Sequence, residues 1–86
     1  MTDRKEVLDS ALKLVAEDRN NTYGEPEKNL ERIAQLWTAY LDHPISAKDV
    51  ALLMILLKAA RLSHMDKSDS WIDIAGYAAI GAEVAL

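Results

Sequence analysis

Lys58 and Arg61 stand three residues apart near the end of an apolar segment, and Asp69, Asp73 and Tyr77 follow at four-residue spacing. On a helix each spacing places its members on one face, one turn apart. Two cations on one face can grip a phosphate or an opposing carboxylate, and two carboxylates on another can answer them or hold a hard divalent cation. A second polar set runs through Arg19, Tyr23, Gly24, Glu27 and Asn29. It offers a ring for stacking, a glycine for close backbone approach and an amide able to read a base edge. The candidate ligand site is therefore Arg19, Tyr23, Asn29, Lys58, Arg61 and Tyr77.

Each group also has a plainer reading. Asp69 suits a helix cap, and Glu27 and Glu31 suit an acidic first turn beside Pro26, where the helix field favours negative charge. Lys58 or Arg61 can pair with Asp73, or with Asp49 of another subunit, and Tyr23 can be the lid of an interhelical turn. Trp37 and Trp71 read as core. His43 and His64 have no spacing that pairs them as zinc ligands, and no Ser-His-Asp arrangement, P-loop or dinucleotide glycine fingerprint is present.

These residues must be positioned by a small core. A chain of 86 residues makes one domain, 1–86, and buries about 60 to 65% of the surface it exposes when unfolded. Half the residues are apolar but Phe is absent, so the bulk comes from aliphatic side chains and a few rings, which favours close-packed helices. Without cysteine there is no disulfide framework, thiolate metal site or thiol nucleophile. A net charge of −4 argues against duplex nucleic acid as a partner. The longest apolar run, 50–57, is far short of the ~20 residues that span a bilayer. With no secretory pattern at the amino end, the expectation is a cytoplasmic protein with no membrane partner.

Four helices are predicted. The first starts at Asp3, whose carboxylate caps it with Glu6 three residues on, and carries Val7, Leu8, Ala11, Leu12, Leu14 and Val15 as one buried stripe until Asn20 and Asn21 end it. The second runs from Pro26 to Leu41, with Leu30, Ile33, Ala34, Trp37, Tyr40 and Leu41 inward. After the Asp42-His43-Pro44 break, Ser46 and Asp49 cap a third helix, 47–64, that is apolar nearly all round. So small a domain cannot surround such a helix, and part of its surface is expected to meet another subunit. The fourth helix, capped by Ser68 or Asp69, reaches the carboxyl end. There Gly76 and Gly81 lower helix propensity by about 1 kcal/mol each relative to Ala, which close approach by another helix would offset. Its last turns are expected in a subunit contact. The fold class is all-α, a compact, oligomeric bundle of about four helices.

The pattern Arg19-x-x-x-Tyr23-Gly24-x-x-Glu27-x-Asn29, then Lys58-x-x-Arg61-Leu62 and Asp69-x-Trp71-x-Asp73-Ile74-Ala75-Gly76-Tyr77, resembles a family of short, uncharacterised bacteriophage proteins across 19–86. More distantly, the Asp-x-x-x-Asp-x-x-x-Tyr helix is similar to the MazG-type all-α nucleoside triphosphate pyrophosphatases. That resemblance implies Mg2+ held by carboxylate pairs, which here would be Glu27, Glu31, Asp69 and Asp73, four residues apart rather than three. Three functions are open. One is a homo-oligomeric, non-enzymatic binder of a phosphate-bearing nucleotide, needing no cofactor and sequestering a host immune signal in the host cytoplasm. The second is a Mg2+-dependent nucleotide pyrophosphatase. The third is a host-protein-binding module.

Overall fold

The computed structural model describes residues 3–18 and 25–86, the side chains of Glu17 and Asp18 excepted. Every regular element among them is helical: α1 (Arg4–Lys13), a π-helical turn (Leu14–Asp18), α2 (Pro26–Leu41), α3 (Ala47–His64) and α4 (Ser68–Ala85). α4 is the centre of the arrangement. It lies along α3 most extensively, takes α1 on another side, and touches α2, which packs chiefly on α3. No helix among the described residues is long and apolar enough to cross a membrane.

The local chemistry explains the boundaries. Asp3 accepts a hydrogen bond from the Glu6 N–H at 2.8 Å and so caps α1, satisfying one of the donors a helix start leaves unpaired. Pro26 opens α2 in the first turn, where its missing N–H removes no helical bond. Asp42 ends α2 in the left-handed region at φ 53°, ψ 44°, a conformation that Asp tolerates. The link to α3 is held by Thr38, whose hydroxyl accepts the Ile45 N–H at 2.9 Å and donates to the Ile45 carbonyl at 3.2 Å.

Ser46 and Asp49 then form a reciprocal box. The Ser46 hydroxyl accepts the Asp49 N–H at 3.1 Å while the Asp49 carboxylate accepts the Ser46 N–H at 3.0 Å. The Ser46 N–H first, and the Ser46 hydroxyl beside the carboxylate second, hold the Asp49 carboxyl below its ordinary value of 3.8. A lowered folded value means the stabilisation is complete above the ordinary carboxyl range and lost as pH falls through the lowered value. Wild type should therefore melt above Asp49→Asn at about pH 7, and the gap should close as pH falls through the lowered value. Thermal melts of both proteins across that range check this.

The core joins Leu30 and Ala34 of α2, Val50 and Ala51 of α3, and Tyr77 and Ile80 of α4. Both helical glycines of α4 serve this packing. A Cβ at Gly81 would stand 3.0 Å from the Ala51 Cβ, and one at Gly76 would stand 3.1 Å from Val15 Cγ1 in the π-helical turn. The close approach expected at these glycines is thus made within one chain.

Several expectations need correction. The first helix is α-helical only to Lys13, and of its expected stripe Ala11 alone is buried, while Leu8 and Leu12 are exposed. Among the described residues α4 is the helix chiefly packed on α1, and it covers too narrow a strip to bury the rest. Asn20 and Asn21 lie outside the described residues. Tyr40 is 89% exposed and Leu41 is exposed too, because nothing among the described residues covers them at the end of α2. Trp71 is 52% exposed on α4, outside the strip formed by Ser70, Tyr77 and Ile80. Trp37 is half-buried against the core, as expected. α4 starts after Lys67, with no side-chain cap, so Ser68 and Asp69 belong to its first turn.

Candidate functional site

α3 and α4 form an antiparallel hairpin, and its closed end is a site built from both walls. The last turns of α3 bring Lys58, Arg61 and His64 to one side, since residues three apart share a helical face. The first turns of α4 bring Asp69, Ser70 and Asp73 to the other, and Met65 and Lys67 of the link form the base. Together they line an open cleft of about 680 Å³. That volume falls in the range of small-molecule sites, roughly 300 to 1,000 Å³.

One pair fixes the geometry. Lys58 Nζ stands 2.8 Å from Asp73 Oδ2, with both side chains largely covered, 15% and 28% exposed. This is the structural pairing that the spacing allowed, and it ties the two walls together at the inner end. Arg61, His64 and Lys67 lie further out and are exposed. Among the described residues neither Arg61 nor Lys67 has an ion-pair partner within the chain. Ser70 is 7% exposed, a buried hydroxyl at the cleft wall, and its N–H donates to the Lys67 carbonyl at 3.2 Å.

The remaining candidates are dispersed. Tyr77 is buried in the core, on the face that carries Asp73 but beneath the cleft rather than lining it. Asn29 is half-buried on α2, with its backbone N–H bonded to the Glu25 carbonyl at 3.0 Å. Arg19 and Tyr23 lie outside the described residues. Glu27 lines a different cleft, with Glu83 and Ala79, and Glu31 lines another beside Thr38 and Ile45. The four carboxylates implied by the pyrophosphatase resemblance are therefore not in one place, and among the described residues no three His, Asp or Glu side chains gather as metal ligands do.

Four cleft residues are not among the groups the sequence singles out: His64, Met65, Lys67 and Ser70. Arg61 and His64 are three apart, which was a usable signal. Lys67 and Ser70 were not visible as neighbours of Arg61, because only the reversal at 65–67 brings them across.

The arrangement can bind a ligand of mixed character. Arg61 and Lys67 supply charged donors for phosphate oxygens, the Asp69 carboxylate and Ser70 hydroxyl can meet hydroxyl or amino groups, and the exposed Met65 offers an apolar face. Bare inorganic phosphate would leave the carboxylate side of the cleft unsatisfied.

Residues 6–85 match a protein family described as "Domain of unknown function (DUF6378)". The chain is similar to the Gene 55 protein of Mycobacterium phage D29, 45% identical over 73 residues that make up 84% of this chain and 48% of the relative. It is likewise similar to the Gene 55 protein of Mycobacterium phage L5, 41% identical over 76 residues, 86% of this chain and 49% of the relative. The chain spans about half the length of these curated relatives. No solved structure matches it.

Proposed function

Since the chain belongs to the DUF6378 family, whose description carries no activity, the reading rests on its own geometry, and we propose a non-enzymatic binder of a phosphate-bearing nucleotide. The observation that carries this is the meeting of Arg61 and Lys67 with Asp69, Ser70 and Met65 in one open cleft beside a fixed Lys58–Asp73 pair. The cations take the phosphate, while the carboxylate and hydroxyl take ribose or base donors. The phage origin of the relatives supports a host-directed role, in which a homo-oligomer in the host cytoplasm sequesters a signalling nucleotide.

A thermal-shift screen against nucleoside triphosphates, cyclic dinucleotides and ADP-ribose derivatives, with and without Mg2+, tests this, followed by chromatography of the recovered ligand. A stabilising ligand recovered intact is expected. Arg61→Ala should leave the unliganded melting temperature unchanged and weaken binding by about 10- to 100-fold, the worth of a charged hydrogen bond. No shift with any nucleotide would overturn the proposal in favour of a host-protein-binding module. A cleaved ligand would support the Mg2+-dependent pyrophosphatase instead, although Glu27 and Glu31 stand away from Asp69 and Asp73 within one chain.

A further inference from the structure

α3 turns two different faces outward and inward. Val50, Ala51, Met54 and Ile55 face the core, whereas Leu52, Leu53, Leu56 and Leu57 are 41 to 63% exposed on the opposite side. Four leucines on two adjoining turns make a contiguous apolar patch, of the kind that marks an interaction surface rather than scattered exposure. The ends of the face differ in chemistry. Asp49 stands on it at the amino end and His64 at the carboxyl end, with Arg61 at its edge.

We infer that this face is the interface with a second copy of the chain, paired antiparallel about a two-fold axis near positions 56 and 57. A surface that is apolar in the middle, with a carboxylate at one end and an imidazole donor beside Arg61 at the other, is complementary to its own copy turned end for end. In this register Leu56 lies opposite the partner's Leu57, Leu53 opposite the partner's Ala60, and Asp49 opposite the partner's His64. The small Ala60 makes room for Leu53, leucines meet at the centre, and each Asp49 carboxylate meets an imidazole that can donate to it. The parallel alternative would set Asp49 against the partner's Asp49. The inference extends the homo-oligomer part of the reading above and does not depend on nucleotide binding.

Light scattering coupled to size-exclusion chromatography of the full chain without ligand should give twice the 9.6 kDa chain mass. Leu56→Glu, at an exposed position, should leave the helical circular dichroism intact and weaken the dimer by at least about tenfold. The double variant Leu53→Cys/Ala60→Cys should oxidise to a covalent dimer, because 53 and 60 are two turns apart in one chain and meet only across the pair, while Leu53→Cys alone should not. A chain mass of 9.6 kDa at all concentrations, or a dimer indifferent to Leu56→Glu, overturns the inference. A wild-type chain that is monomeric yet binds nucleotide would refute this interface alone.

Discussion

Leu30→Ala is expected to remove about 2 to 5 kcal/mol of folding stability, the range for deleting a fully buried leucine side chain. Leu30 is 1% exposed and, with Val50, is one of the two largest side chains wholly enclosed. It is the residue by which α2 enters the core shared by α3 and α4, so its loss leaves a cavity bounded by three helices that cannot all relax into it. A domain of 86 residues has a total stability of roughly 4 to 13 kcal/mol, so the variant should stand near the edge of folding. Urea unfolding followed by circular dichroism measures the change. Leu30→Met, which keeps the volume, should cost less than about 1.5 kcal/mol. A loss below 1 kcal/mol for Leu30→Ala would mean that α2 is not docked through this side chain.

Gly81→Leu is the second large effect, and its sign runs against helix propensity. In an exposed helix, replacing Gly by a helix former gains up to about 1 kcal/mol. At position 81 the first added carbon would already stand 3.0 Å from the Ala51 Cβ, and Ala51, at 1% exposure, has no rotatable side chain to move aside. Relief requires α3 and α4 to separate, so a loss of about 3 kcal/mol or more is expected. Gly81→Ala in wild type compared with Gly81→Ala in an Ala51→Gly background isolates the contact, since the alanine should stabilise only in the second. A gain from Gly81→Ala in both backgrounds would show that the helices are not in close contact there.

Much of this architecture is legible in the sequence where one residue type has one physical use. Pro26 and the Ser46/Asp49 box give the starts of α2 and α3 because each satisfies or removes a specific backbone donor. The apolar circumference of α3 foretells a helix with more hydrophobic surface than one small chain can cover, and its exposed leucines follow. What was not legible is how far neighbours reach. Periodicity assigns Leu8, Leu12 and Tyr40 to an inward stripe, but burial needs another helix alongside, and none among the described residues covers them. The candidate site was legible in halves. Lys58, Arg61, Asp69 and Asp73 do meet, yet Tyr77 lies in the core, and Lys67 and Ser70 reach Arg61 and His64 only through the turn between the walls.

That turn has a further consequence. Every residue lining the cleft lies between Lys58 and Asp73, so the pocket is written in one short stretch of chain. Loop closure over so few residues is inexpensive in entropy, and local contacts form early. The pocket therefore belongs to a hairpin rather than to the bundle as a whole. A unit of that kind can keep its geometry when the chain around it grows, as in relatives about twice as long.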